Sequence, residues 1–377
     1  MRIGILGGGQ LGRMLALAAY PLGYRCTVLD PAADPCAAQV CSHIRGEYDD
    51  YQALYQLVLA SDVITYEFEN VPVATAEWLA ERKPVYPPPQ ALAVGQERLA
   101  EKEFFTRLGI PTPQYRPVDS EADFHAALRD LGLPAVLKTR MYGYDGKGQA
   151  VLRTPQDCQQ AWQRLGGRPL LLEEYVPFER ELSVLAVRSR DGQVRIWPLV
   201  ENQHIDGILH RSLAPAASAE ELQERAAEYV CRILDELQYV GVLAVEWFQD
   251  GPRLLANEMA PRVHNSGHWT IEGAYTSQFA NHLRAITGLP LGSCAMLTKN
   301  AVMYNFIGTL PPLSDILATP EASVHVYGKS FRPGRKVGHV TLVATSTEEL
   351  EEKLPLWDEL FARRSVSTTD AQNGLPL

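Results

Sequence analysis

Apolar and polar positions alternate at the start of the chain as two short buried strands around a helix. Residues 2–6, Arg-Ile-Gly-Ile-Leu, form an apolar run leading into Gly7-Gly8-Gly9-Gln10-Leu11-Gly12. A helical stretch follows from Arg13 to about Leu22, then strands at Cys26-Thr-Val-Leu-Asp30 and Val63-Ile-Thr-Tyr-Glu67. Strand, helix, strand in this order predicts a doubly wound parallel sheet over residues 1–95. Its end is expected near Pro87-Pro88-Pro89, read as a stiff connector because prolines cannot continue a helix. Helical spacing over 96–109 predicts a linker helix stopped by Gly109. The next apolar runs read strand (Ala135-Val-Leu-Lys138), glycine loop (143–148), strand (Ala150-Val-Leu-Arg153), helix (155–165) and strand (Leu170 to Val176). With the linker helix they make a small α+β lid ending near 178. Residues 179–377 alternate strands and helices as a larger α+β body with a C-terminal subdomain, and a loose tail is expected from about Arg363.

Two glycine loops carry the first chemical signal. Gly7, Gly9 and Gly12 satisfy G-x-G-x-x-G between a strand and a helix, with Asp30 downstream. Such a turn can offer backbone N–H groups to a dinucleotide or another phosphate ligand, or it can be only a tight turn. The second loop, Gly143-Tyr144-Asp145-Gly146-Lys147-Gly148-Gln149, lies between strands and follows Lys138. It therefore resembles a flap over nucleotide phosphates paired with a strand lysine. A hairpin with a surface lysine is the alternative. The strand Leu170-Leu-Leu-Glu173-Glu174-Tyr175-Val176 can present backbone groups to adenine, with Glu181 near the ribose.

Carboxylates supply the second signal. Glu246 and Glu258 each interrupt an apolar strand on either side of Gln249-Asp-Gly-Pro252. Acids there are costly unless paired or bound to a cation, and Mg²⁺ takes one or two carboxylates plus phosphates. A loop of three residues, Asp250 to Pro252, would put both on one face; a loop of Asp250-Gly251 would pair Glu246 with the face of Asn257. Salt-bridged glutamates are the alternative. The loop Pro261-Arg262-Val-His264-Asn265-Ser-Gly-His268 is polar enough to orient an oxyanion, and Pro261 and Gly267 argue against a zinc-binding helix. Lys329-Ser-Phe-Arg332-Pro-Gly-Arg335-Lys336 is a seat for a substrate phosphate or a solvated basic loop. The stretch Asp62-Val-Ile-Thr-Tyr-Glu67-Phe-Glu69 places acids at a strand's C-terminal end, and one of them, Glu67 by preference, is expected to meet a substrate amine.

Composition narrows this. The 377 residues are 46% hydrophobic and 21% charged, with a formal net charge of −10, which disfavours a nucleic-acid partner. No apolar run is long enough to span a membrane, and the N-terminus lacks the features of a signal peptide. Six scattered cysteines without C-x-x-C fit a reduced, cytoplasmic protein.

With these residues assembled, the sequence resembles the ATP-grasp superfamily and, within it, the 5-(carboxyamino)imidazole ribonucleotide synthase (PurK) family. The stretches are GILGGGQLGRML, ITYEFENV, GYDGKGQ, HIDGILHRS, NEMAPRVHNSGHWT and FRPGRKVGHV, in order from residue 1 to about 342. The resemblance implies an ATP-grasp fold gripping ATP between lid and body. It places ATP on Arg98, Lys138, Gly143, Tyr144, Asp145, Gly146, Lys147, Gly148, Gln149, Glu173, Glu174, Tyr175, Val176, Glu181, His204, Asn257 and Glu258. Mg²⁺, expected as two ions, falls on Glu246 and Glu258. The ribonucleotide and bicarbonate fall on Gly9, Gln10, Leu11, Glu67, Tyr144, Asn265, Lys329, Arg335 and Lys336, with Asp145, Lys147, Arg262 and His264 nearest the chemistry. Lys147 stands where arginine is common, and Met141-Tyr142 where a smaller pair is frequent. The implied reaction is ATP- and bicarbonate-dependent carboxylation of aminoimidazole ribonucleotide in purine synthesis, by a homodimer. A related ATP-grasp ligase using formate, a dehydrogenase, and a non-catalytic nucleotide-binding module remain as rivals.

Overall fold

A computed structural model describes residues 1–141, 143 and 148–362. The expected tail from Arg363 lies outside the described residues, as do Tyr142 and the flap residues Tyr144, Asp145, Gly146 and Lys147.

The first sheet is parallel, in the order Ser42–Arg45, Arg25–Asp30, Arg2–Leu6, Val63–Tyr66. Its helix starts at Gln10, not Arg13, and ends at Ala19 before a 3-10 turn at Tyr20–Leu22. The prolines do not act as a stiff spacer. Pro88 caps and Pro89 opens the helix Pro89–Gln96, because the first turn needs no proline N–H. The chain then breaks at Glu97, in extended backbone, and resumes as Arg98–Arg107, with the Glu97 carboxylate accepting from Leu99 N and Ala100 N.

The second sheet is antiparallel, in the order Tyr115–Val118, Leu170–Glu174, Ala135–Thr139, Gln149–Leu152. Helices Glu121–Leu131 and Pro155–Leu165 cover one face, where Phe124 stacks on Trp162 with ring centroids 5.2 Å apart. The strand Tyr115–Val118 and the helix after it escape the sequence pattern. A four-residue strand containing a proline fits an edge and gives little periodicity.

The third sheet has nine strands among the described residues. Its path runs Arg253–Ala260, Gly241–Asp250, Arg180–Arg188, Val200–Ile205, Ile208–Ala214, Asn300–Ile307, Lys336–Ala344, Ala322–Val326, with Val194–Ile196 added to Arg180–Arg188. Alternate residues serve opposite cores: Leu182, Val184 and Ala186 pack with the helix Glu220–Glu236, and Leu185 and Val187 with Gln278–Thr287. The second face continues past its apolar part into Ser183, Glu181 and Glu246, and there the sheet becomes a binding surface.

Candidate active site

Glu246 and Glu258 are directly opposed partners on neighbouring antiparallel strands, so they share a face. The route to that register differs from the expected one. Asp250 pairs with Arg253, leaving a two-residue turn, Gly251-Pro252, where three loop residues were expected. That register alone would bring Asn257 opposite Glu246. A bulge between Glu246 and Trp247 inserts one residue, pairing Trp247 with Ala256 and Glu246 with Glu258. Burial, and then the neighbouring Glu258 charge, push the Glu246 carboxyl up to about 7. Arg98 Nη1 lies 3.3 Å from Glu258 Oε2, and His264 Nε2 lies 3.5 Å from Glu246 Oε1. Two acids left in mutual repulsion fit a divalent cation. Among the described residues no three His, Cys, Asp or Glu side chains converge as an all-protein metal cage, which suits an ion that also takes phosphate oxygens.

Lys138 reaches the same place from the lid sheet. Its Nζ donates to Glu173 Oε2 at 2.9 Å and to Asn257 Oδ1 at 3.5 Å. Lys102, only 1% exposed, lies 3.6 Å from the same Glu173 oxygen and donates to the carbonyls of Ala256 and Asn257. Burial alone would raise the Glu173 carboxyl, but the two lysines hold it down at about 2. Glu173 thus anchors the lysine that faces the cleft. Sequence reasoning missed Lys102. A charge beside Phe104 and Phe105 on a buried helix face was the available signal.

The opening between lid and body is lined by Val136, Glu174, Tyr175, Val176 and Phe178 on one side and by Glu181, His204 and Phe248 on the other. Phe178 and Phe248 stack with centroids 4.8 Å apart. Neither phenylalanine was singled out from sequence, since an isolated aromatic carries no spacing signal. His204 Nδ1 is hydrogen-bonded to Glu181 Oε2; burial lowers its affinity for a proton, but Glu181 and Glu246 outweigh that and raise its pKa. At the flap, Gly148 has φ +75°, and a Cβ there would come within 2.6 Å of Thr139 Oγ1. The loop therefore leaves its strand through a position that demands glycine.

The first glycine turn is closed by the protein itself. Gly12 N donates to Glu67 Oε2 at 2.6 Å, Gly9 N donates to Glu67 Oε1, and Gly8 N donates to Asp30 Oδ2 at 2.7 Å. These N–H groups are those a dinucleotide pyrophosphate would need, so the dehydrogenase reading loses its site. A Cβ at Gly9 would come within 2.4 Å of Glu67 Oε1. Glu67, expected to meet a substrate amine, has both oxygens engaged by the turn; burial raises its pKa and the two amides oppose that. Gln10 Oε1 accepts from Lys329 Nζ, and Glu69 pairs with Arg262 Nε. The Arg335 guanidinium donates to Ser330 Oγ at 2.6 Å.

His264 and Asn265 complete the surface. Asn265 exchanges amide hydrogen bonds with Asn305, at 3.0 and 2.7 Å, so much of its capacity is used within the protein. Burial, followed by the Arg262 and Lys336 charges, lowers the His264 pKa well below its ordinary value. A single cleft of about 890 Å³ is lined by Lys138, Gly143, Gln149, Asn257, Glu246, Glu258, Gln10, Leu11, Arg262, Lys329, Arg335 and Lys336. Arg332, the fourth cation of the basic segment read from the sequence, lines it too. Gly9 lies behind Glu67.

Fold and cleft together define the class. A lid sheet and a body sheet face each other across a lysine and two opposed acids, and residues 103–279 match the ATP-grasp domain. Residues 1–96 match the ribonucleotide synthetase preATP-grasp domain, and 301–353 the phosphoribosylaminoimidazole carboxylase C-terminal domain. The N5-carboxyaminoimidazole ribonucleotide synthase of Pseudomonas aeruginosa is 53% identical over 354 residues, covering 94% of this chain and 98% of that one. The crystal structure of the synthetase of the same name from Thermus thermophilus superposes with a TM-score of 0.91 at 53% identity, covering 100% and 99% of the two chains. That of the Aspergillus clavatus synthase in complex with ADP and 5-aminoimidazole ribonucleotide gives 0.88 at 33% identity, covering 96% and 98%. The chain belongs to the N5-carboxyaminoimidazole ribonucleotide synthase family.

Proposed function

We propose that this chain joins a carboxyl group to the exocyclic amine of 5-aminoimidazole ribonucleotide, using ATP and bicarbonate and releasing ADP and phosphate. The observation that carries this reading is the single cleft in which a lid lysine, an opposed pair of acids and a basic segment meet. Relatives at 53% identity bear the same function in their names, and one relative is described with both ADP and the ribonucleotide.

In this reading adenine enters between the strand end at Glu174 to Val176 and the Phe178–Phe248 stack, and Glu181 and His204 take the ribose. Arg98 and Lys138 face the phosphates; Lys138 is held in place by Glu173. Glu246 and Glu258 would hold Mg²⁺, whose chemistry is to neutralise charge on the transferring phosphoryl group. A bicarbonate oxygen attacks the γ-phosphorus, the bond to ADP breaks, and carboxyphosphate forms. The ribonucleotide amine then attacks its carboxyl carbon, directly or as released CO₂; phosphate leaves and the amine gives up a proton. Arg262 and His264 sit between the opposed acids and the N-terminal turn, where bicarbonate must lie. Lys329, Arg332, Arg335 and Lys336 take the ribonucleotide phosphate by charge-assisted hydrogen bonds. Gln10 and Leu11 border that side. Tyr144, Asp145, Gly146 and Lys147 keep the ATP and bicarbonate roles that the family resemblance implies for them. Most of the acceleration is positioning and fixed charge.

Phosphate release from ATP tests this, measured with bicarbonate, formate or neither, each with and without the ribonucleotide. Strong stimulation only by bicarbonate and the ribonucleotide together is expected. An equal rate with formate, or one indifferent to the ribonucleotide, overturns the reading. The proposed homodimer is checked by light scattering; a monomer at micromolar concentration removes it. Among the described residues no helix is long and apolar enough to cross a membrane.

A further inference from the structure

A row of buried polar side chains crosses three neighbouring strands and ends on the ring of His264. Ser212 Oγ, on Ile208–Ala214, donates to Asn202 Oδ1 at 2.8 Å. Asn202 Nδ2, on Val200–Ile205, donates to Ser183 Oγ at 2.9 Å. Ser183, on Arg180–Arg188, lies 2.8 Å from Ser266 Oγ, and Ser266 Oγ lies 2.9 Å from His264 Nδ1. Ser183, Ser212 and Ser266 are fully buried and Asn202 is 6% exposed. The register makes the row: Ser212 opposes Asn202 directly, and Ser183 opposes Val200, one pleat along.

The direction of every bond follows from its ends. Ser266 N, a backbone donor that cannot reverse, points to His264 Nδ1 at 3.3 Å. Nδ1 must therefore carry a lone pair. The Ser266 hydroxyl then donates to the same nitrogen, so its oxygen accepts from Ser183, whose oxygen accepts from Asn202. Ser183 and Ser266 each donate once and accept once along the row, and Ser212 begins it as a donor. A neutral His264 with Nδ1 unprotonated carries its hydrogen on Nε2, the atom facing Glu246 Oε1 at 3.5 Å across the cleft wall.

We propose that Ser266, Ser183, Asn202 and Ser212 are positioning residues that fix His264 as the Nε2–H tautomer, presenting a hydrogen-bond donor to the oxyanion in the cleft. His264 then begins the reaction as a donor that steadies bicarbonate and the developing carboxyphosphate, and a proton released by the ribonucleotide amine must go to another acceptor. This rests on the placement of bicarbonate in the proposed function. A second buried link supports the loop: the Gln278 side chain accepts from His264 N at 2.8 Å and donates to His264 O at 2.6 Å. The loop backbone is thus held independently of the hydroxyl row, and the row's remaining task is the ring.

The test is nitrogen NMR of the full-length protein with labelled histidine, with His264 assigned by its loss in His264→Gln. A pyridine-type Nδ1 and a protonated Nε2 are expected; a proton on Nδ1 in the neutral ring overturns the proposal. In parallel, Ser183→Ala should lower kcat about tenfold, the worth of one hydrogen bond in the transition state, with KM for ATP unchanged. Ser183→Thr, which keeps the hydroxyl, should recover most of it. An unchanged kcat in Ser183→Ala, or equal loss in both variants, also overturns it. The tautomer does not depend on turnover. Wild-type protein inactive toward the ribonucleotide would remove the proposed function and leave the tautomer assignment standing.

Discussion

Glu67 and Glu69 enter the cleft from the N-terminal sheet, Glu246 and Glu258 from the hairpin at the body's edge, and the two pairs meet different surroundings. Glu67 receives two backbone amides and Glu69 an arginine. Burial would raise the Glu69 carboxyl, but Arg262 holds it below its ordinary value. Glu246 instead faces Glu258 across the strands, and the repulsion adds to burial in raising its pKa. The first pair is satisfied by the protein, so it serves as structure that shapes a substrate surface. The second pair is left short of positive charge, the condition a site for a divalent cation and a triphosphate requires.

Substitutions can break this contrast, beginning with the largest effect. Glu258→Gln should lower kcat at least about a thousandfold, the scale of losing electrostatic stabilisation of a phosphoryl transfer, while the melting temperature holds or rises. Phosphate release and a thermal melt check both; a fall in stability would mark the pair as structural. Glu173→Gln should do the opposite. It leaves Lys102 and Lys138 buried without their counter-charge and costs about 3 kcal/mol in denaturant unfolding. The sign with pH follows from its depressed carboxyl: the stabilisation is present above the ordinary value of 4.5 and is lost as pH falls toward about 2. Stability of the Glu173→Gln protein should therefore decline less across that window. Arg335→Ala should raise KM for the ribonucleotide about tenfold and leave KM for ATP alone, the loss of one charge-assisted contact. Glu67→Gln should cost only about 1 kcal/mol, because one amide donor of the glycine turn loses its acceptor; a melt detects it, and a shift as large as that of Glu173→Gln would deny that the difference lies in buried countercharge.

Much of this contrast was legible in the sequence, and what was not has physical reasons. Acids interrupting apolar strands marked Glu246 and Glu258, because carboxylates there need an explanation. The register that joins them was not legible. The extra residue at the Glu246/Trp247 bulge has no obligatory residue type, so a count of turn residues reached the right face for the wrong reason. The glycine turn was legible as a strand-to-helix turn, whereas its closure by Glu67 is a contact between residues 58 and 55 positions apart. The role of Lys102 was hidden for the same reason, although its place beside Phe104 and Phe105 hinted at burial: its partners come from the lid sheet and the hairpin. Local pattern located the strands; pairing between distant segments decided which polar groups remained for ligands.

The central assignment, that Glu246 and Glu258 are reserved for Mg²⁺ on the nucleotide, is tested most directly by titration calorimetry of ADP into the full-length protein with and without Mg²⁺. Wild-type protein should bind ADP at least about tenfold more tightly with Mg²⁺, and Glu258→Gln should lose that difference while keeping its Mg²⁺-free affinity. An undiminished Mg²⁺ effect in Glu258→Gln would contradict the account.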